Sequence, residues 1–388
     1  MPMNKLSSLH VLTVCLLMLL LALPVSIRLA PESYDYVQHQ LFALVWASEG
    51  TLPGPHFLYQ ALLLGVQALL PVANLPTIAV AINAVALIST GLLVFGLLYA
   101  ALPRSQSAIG ALALTVVLLL AAPASFPSWH SGVYYLSYIS PNSYHNPTIW
   151  LMKPFALGLY LLVLRIEPAR RSSWRIILLA ILVAIGGVLA KPNFIIAVIP
   201  ALGLVTLVNL VQRRPLDWLL LLAIAVPSGL ILAWQLFFYQ GEYDSGFVLA
   251  PLEMMAYWTG SSNPVMLLLR FGLSIGFPLA VMILYWPALR QDRGVILAWL
   301  TFATGALYTY LLAETGYVND GNFGWSAEIG LFLLFVMSAL LVIRQEGAVL
   351  DGQKRPGWRF WLASGALSLH LISGIVFYFN NLSTGQYT

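Results

Sequence analysis

"VLTVCLLMLLLALPVSIRLA" (residues 11–30) and "PESYDYVQH" (residues 31–39) follow one another and together decide the reading. The first is apolar over the ~20 residues that a helix needs to cross a bilayer. The second crowds Glu32, Asp35 and His39 together at the exit of that run. The chain of 388 residues is 60% hydrophobic and 8% charged, where a soluble domain is roughly 25% charged. Its mean hydropathy is +0.86. Apolar runs recur along the whole length, so the chain reads as an all-α polytopic membrane protein. A membrane β-barrel would show alternating segments of ~10 residues instead.

Residues 1–30 superficially resemble a signal peptide, with Lys5 before an apolar core from Val11 to Leu29. Arg28 and Pro31 flank the only candidate cleavage point, where small residues are required. The segment is therefore expected to stay as a first span. Cys15 lies inside it and is the only cysteine, which excludes disulfides within the chain and a cysteine-based metal site. The net charge of +4 comes from scattered basic residues rather than a patch, which gives no sign of a nucleic-acid partner.

The spans expected are 10–30, 76–101, 107–124, 148–166, 176–190, 193–211, 216–238, 263–287, 294–313, 326–344 and 360–380: about eleven, within a range of roughly 9–12. With a cytoplasmic N-terminus, the cytoplasmic loops and ends hold 14 of the 18 basic residues: Lys5, Arg104, Arg165, Arg170, Arg171, Arg175, Arg213, Arg214, Arg290, Arg293, Arg344, Lys354, Arg355 and Arg359. This satisfies the positive-inside rule. If 57–71 also crossed, the arginine-rich loop 165–175 would face outward. Residues 57–71 are therefore expected to be an interfacial or re-entrant helix in a long first outer loop, 31–75. Tyr134, Tyr135, Tyr138, Tyr144, Trp150 and Trp258 fall near outer ends, as an interfacial belt would. The chain reads as one integral-membrane domain, 1–388, with no internal repeat and no soluble domain.

Residues 33–48 read as an amphipathic helix with Leu41, Leu44, Val45 and Ala47 on its apolar side. Asp35 and His39 are four apart and share a face, with Glu32 one turn earlier. A carboxylate beside an imidazole at a low-dielectric interface suits general-base work; an ordinary polar cap is the plainer alternative. Four basic residues remain outside the cytoplasmic set, and three of them, Lys153, Lys191 and Arg270, lie at the outer ends of spans. Such cations are costly unless they snorkel or line a cavity and meet an anion. Together they suggest a phosphate or pyrophosphate held at the outer face, with His145 beside Lys153 in "YHNPTIWLMKP" (residues 144–154). His56 and His130 are further substrate-contact candidates in the outer loops.

These residues carry a family resemblance. "LPVSIRLAPESYDY" (23–36) resembles the end of the first span and the acidic motif of GT-C glycosyltransferases, in the protein mannosyltransferase and lipid A aminoarabinose transferase branch. "ASEGTLPGPHFLYQALLLGVQALLP" (47–71) is similar to that branch's following loop and interfacial helix. "AIGGVLAKPNFIIAVIPALGL" (184–204) is similar to its lysine-bearing break between two later spans. The likeness covers roughly 10–215; residues 216–388 match only as further helices. It implies a polyprenyl-phosphate-linked sugar donor, a glycan or lipid acceptor at the outer face of a prokaryotic cytoplasmic membrane, and inverting transfer. The base would be Asp35 or Glu32, with Asp35 favoured by its shared face with His39, and the donor-phosphate contact would be Lys191. The chain lacks the family's adjacent acidic pair. Its loop 125–147 has no acid, so whether His145 or His130 takes that role is open. No cofactor is implied, a divalent metal is not indicated, and the need for a small membrane partner is not readable.

Two other classes compete. An O-antigen polymerase or ligase usually relies on arginines in a large late outer loop, and 239–262 has no Arg or Lys. A flippase or other transporter tends to show repeats and polar groups at the midplane; here the polar groups gather at one face.

Overall fold

The structure is a computed structural model that describes residues 7–52, 54–103, 107–125, 137–166, 171–242, 246–315 and 319–385. The chain opens with α1 (Ser8–Leu29), α2 (Tyr34–Glu49), α3 (Leu58–Leu69), α4 (Leu75–Ala101) and α5 (Ser107–Leu120). Four long helices follow: α6 (Pro147–Val163), α7 (Trp174–Ala190), α8 (Asn193–Val211) and α9 (Trp218–Glu242). Then come β1 (Phe247–Leu249), α10 (Glu253–Thr259), α11 (Pro264–Ser274), α12 (Gly276–Leu284) and α13 (Trp286–Leu289). The chain closes with α14 (Arg293–Leu311), β2 (Leu312–Glu314), α15 (Gly324–Gln345), α16 (Gly347–Leu350) and α17 (Trp358–Thr384).

Each expected span contains helix. Among the described residues, seven helices are long and apolar enough to cross a membrane, and the α11–α12 pair makes an eighth if it is one span. The segments at 107–124, 148–166 and 176–190 form the shorter helices α5, α6 and α7. At 1.5 Å per residue, α3 is about 18 Å long, well short of a ~30 Å hydrocarbon core. That matches an interfacial or re-entrant element rather than a span.

The stretch 263–287, expected as one straight span, is bent by 74° between α11 and α12. Pro278, in the first turn after the break, has no N–H to continue the ladder. His370 of α17 fills the gap: its Nε2 accepts from Phe277 N at 3.0 Å and its Nδ1 meets Ala122 O at 2.6 Å. Irregular backbone survives at membrane depth when protein satisfies it in this way.

Polar caps and prolines set the helix starts that matter for the site. Asn74 caps Thr77 N, Asn146 caps Thr148 N and Ile149 N, and Asn263 caps Val265 N, each with Pro just inside the helix. Helix α15 is buried along nearly all its length. It lies very close to α14: a Cβ at Gly305 would meet the Ser326 backbone at 2.5 Å, and one at Gly330 would meet Phe302 Cα at 2.8 Å. Small residues allow this approach in membrane bundles. Trp325 and Glu328 of α15 meet the loop 137–146: the Trp325 ring lies 5.3 Å from that of His145, and Glu328 accepts from Ser143 Oγ at 3.0 Å.

Alternation of the helices sorts the loops to two ends. Arg165, Arg171, Arg175, Arg213, Arg214, Arg290, Arg293, Arg344, Lys354, Arg355 and Arg359 flank helices at one end. Lys5, Arg104 and Arg170 lie outside the described residues. At the opposite end lie α2, α3, α10, the loop 137–146 and a two-stranded antiparallel ribbon, with Phe247 opposite Glu314. The tyrosine and tryptophan belt is corrected in part. Tyr138, Tyr144 and Trp150 are buried, and Tyr144 packs on Trp150, Phe377 and Tyr378. They pack the interior instead of facing lipid. Tyr134 and Tyr135 lie outside the described residues.

Candidate functional site

Helix α2 lies against the loop 137–146 through three polar contacts. Ser33 Oγ donates to His145 O at 3.4 Å, and Tyr36 Oη to Tyr144 O at 3.3 Å. Asp35, in the first turn of α2, accepts from Asn146 Nδ2 at 2.8 Å. The apolar side of α2 read from the sequence, including Leu41, Leu44 and Val45, is exposed.

Asn146 serves two elements at once. Its Nδ2 holds Asp35, while its Oδ1 caps α6 and accepts from Thr148 Oγ1 at 2.6 Å. The same Thr148 hydroxyl accepts from Lys191 Nζ at 3.1 Å. A short polar chain therefore runs Asp35–Asn146–Thr148–Lys191. Lys191 sits in the break between α7 and α8, 5.1 Å over the Trp325 ring. The His145 and Trp325 rings lie 5.3 Å apart, and His145 Nε2 is 3.7 Å from Asp35 Oδ2.

Lys191 lines a cavity of about 370 Å³ with His56, Asn193, Gln235, Glu314 and Asn322. That volume is at the lower end for small-molecule sites. Helix α8 starts here behind Pro192 and α15 behind Phe323, and neither start has a side-chain cap. Uncapped helix N-termini carry partial positive charge. Two of them beside a lysine make an environment for an anion.

Burial sets the ionisation. Lys191 is pushed down to about 8 by burial, against the attraction of Asp35, Glu314 and Glu328. Asp35 is raised above the ordinary carboxylate value by burial, while the Lys191 charge and the Asn146 hydrogen bond oppose the rise. Burial, and then the Lys191 charge, hold His145 well below its usual value and push His56 down to about 3. The histidines are thus neutral hydrogen-bonding groups at neutral pH, and the approach of His145 to Asp35 is not an ion pair.

Several sequence expectations are redrawn. His39 does not work with Asp35: its Nδ1 meets Gln60 Nε2 at 2.8 Å, between Tyr59 and Phe42. An i,i+4 spacing gives a shared face but not a shared partner. Glu32 is exposed and pairs with Arg28 on the preceding turn of chain, away from Lys191. Lys153 does not line the cavity. It donates to Asn142 Oδ1 at 2.6 Å and lies 4.8 Å over the Phe332 ring. Arg270 lies 5.6 Å over the Tyr138 ring on α11. The single wall of three cations is thus three separate environments, of which only Lys191 meets Asp35. His130 and Asp244 lie outside the described residues. Among the described residues, no three His, Cys, Asp or Glu side chains cluster as a metal ion would need.

The structure adds Asn146, Thr148, Gln235, Glu314 and Trp325. Asn146 and Thr148 carried a signal, since "HNPT" is a cap followed by Pro at the first helical position. Gln235 had none, because it is a lone amide inside an apolar run. No family model matches this chain, and no curated protein or solved structure matches it either.

Proposed function

We propose that this chain is a GT-C-type membrane glycosyltransferase. It moves a sugar from a polyprenyl-phosphate donor to a hydroxyl of a glycan or lipid acceptor, at the extracytoplasmic face of a prokaryotic cytoplasmic membrane. The observation that carries the reading is the pairing of Asp35 with buried Lys191 through Asn146 and Thr148, beside two uncapped helix starts. The basic end of the bundle would face the cytoplasm, with eleven crossings and α3 at the outer interface.

In this reading Asp35 takes the proton of the acceptor O–H. The acceptor oxygen attacks the anomeric carbon from the side opposite the phosphate. The bond from that carbon to the phosphate oxygen breaks, and its electron pair leaves with the phosphate. Lys191 and the starts of α8 and α15 stabilise the charge that develops there. An apolar groove of about 850 Å³ between α3, α4, α6 and α7 suits an isoprenoid tail, and α6 carries both Thr148 of the site and Leu151 and Phe155 of the groove.

The test is mass spectrometry of lipid-linked sugars and cell-surface glycans in a deletion strain carrying wild-type or Asp35→Asn protein. The deletion is expected to lose one sugar from one glycan, and wild-type protein to restore it. Asp35→Asn should insert normally yet leave transfer down by about 10²–10⁴-fold, the usual worth of a general base. Full restoration by Asp35→Asn would remove Asp35 from the base role.

A further inference from the structure

Lys191 accounts for only part of the cavity. Gln235 of α9 also lines it and is 4% exposed. Its Nε2 donates to Pro55 O at 2.9 Å and to Val188 O at 3.3 Å. Both partners are carbonyls that can only accept, so the amide cannot turn over. Its Oε1 is fixed as an acceptor, is buried, and has no partner among the described residues.

Two other groups on the cavity wall have capacity left. Glu314 accepts from Asn322 Nδ2 at 2.9 Å through Oε2, and a carboxylate has further lone pairs to offer. His56 Nδ1 is buried without a partner among the described residues. An ionised phosphodiester brings only acceptors. It cannot satisfy Gln235 Oε1, and Glu314 repels it. An occupant that donates hydrogen bonds satisfies both Gln235 Oε1 and the free lone pairs of Glu314. Apart from Asn193, whose Nδ2 is spent on Asn322 O and Ser326 Oγ, the remaining side chains are apolar: Phe247 and Phe323, edge to face at 5.5 Å, with Leu232 and Ile196. A ring with donating hydroxyls at its edge and C–H bonds on its faces matches both halves of that lining.

We propose that Gln235, Glu314 and His56 form a subsite for the hydroxyl groups of a single sugar ring, a placement that rests on the phosphate lying at Lys191. The subsite makes Gln235 and Glu314 specificity determinants of the donor, separate from the groups that hold its phosphate.

The experiment measures binding of three lipids to the purified full chain in nanodiscs: undecaprenyl phosphate, and undecaprenyl phosphate bearing glucose or mannose. Proteins compared are wild type, Lys191→Ala, Gln235→Leu and Glu314→Gln. Lys191→Ala should weaken all three lipids. Gln235→Leu should weaken a glycosylated lipid by about 3–10-fold and Glu314→Gln by about 10-fold, both with sugar-free lipid unchanged. No weakening, or equal weakening of all three lipids by Gln235→Leu and Glu314→Gln, overturns the subsite and leaves the phosphate reading standing. Failure of wild type to bind even the sugar-free lipid overturns the phosphate reading and the subsite with it. If Gln235→Leu does not fold, Glu314→Gln decides by the same criterion, because a glutamine keeps an oxygen for Asn322.

Discussion

Lys153 and Lys191 are both buried, at 5% and 6% exposure, and both lie near the same end of the bundle. Their surroundings differ. Lys153 is enclosed: it donates to Asn142, whose own Nδ2 is spent on Leu118 O and Ala121 O, and Glu328 attracts it across the interior. Glu328 in turn accepts from Ser143 Oγ at 3.0 Å. Lys191 has a single hydrogen bond among the described residues, to Thr148, and opens on a cavity. The first lysine ties the loop 137–146 to α6 and α15. In the proposed reading the second holds the phosphate of the donor. Each ammonium makes one hydrogen bond among the described residues, so what tells the two buried cations apart is the cavity that Lys191 lines and Lys153 does not.

Substituting each lysine by methionine, of similar length, is the sharpest way to break this comparison. Lys191→Met should lower transfer by about 10²-fold through the lost phosphate contact, while thermal unfolding moves little. Lys153→Met should cost about 1.5–3 kcal/mol of stability, because it removes the charged hydrogen bond to Asn142 and the cation that Glu328 attracts across the interior. Lys153→Met with Glu328→Gln should recover part of that loss, as coupled partners do in a double-mutant cycle. Equal unfolding shifts for the two single variants would erase the distinction.

A pH profile separates the roles at intermediate magnitude. In the proposed reading Asp35 serves as base only when ionised. Burial raises its pKa, so kcat/KM falls as pH drops through a value above the ordinary carboxylate range. Lys191 holds a phosphate only as a cation. Burial lowers it to about 8, so donor capture fades as pH rises through about 8. The profile is expected to be bell-shaped, changing tenfold per unit on each outer limb. Lys191→Arg, charged throughout this range, should remove the alkaline limb and keep the acid one. An alkaline limb that stays in Lys191→Arg would assign it to another group.

How far the sequence reached follows from what each feature depends on. Apolar runs gave the helices because length and composition are local. The bend at Ile275 was missed because 263–287 is apolar on both sides, and its stabiliser, His370, comes from almost a hundred residues later. That Lys153 lies within a helix and Lys191 at a break between two helices was legible from the apolar runs. Their partners were not, since which helix faces a lysine is a matter of packing. Asp35 was found because acids are rare here. Glu314 carries no signal that sets it apart from the other acids in the sequence, and it takes its place in the cavity through the ribbon that joins it to Phe247.

Asn146 tests the link between the two regions, and its effect is the smallest. Asn146→Ala removes the cap of α6, worth about 1 kcal/mol, and frees Asp35. Because the Asn146 hydrogen bond lowers the Asp35 pKa, its loss should move the acid limb of the profile to higher pH. Asn146→Ser separates the two effects. Serine is as good a cap as asparagine, but its short side chain carries no amide to reach Asp35. Stability should therefore return while the acid limb stays displaced. If Asn146→Ser restores both, the asparagine acts only as a helix cap, and the polar chain from Asp35 to Lys191 has no part in setting the base.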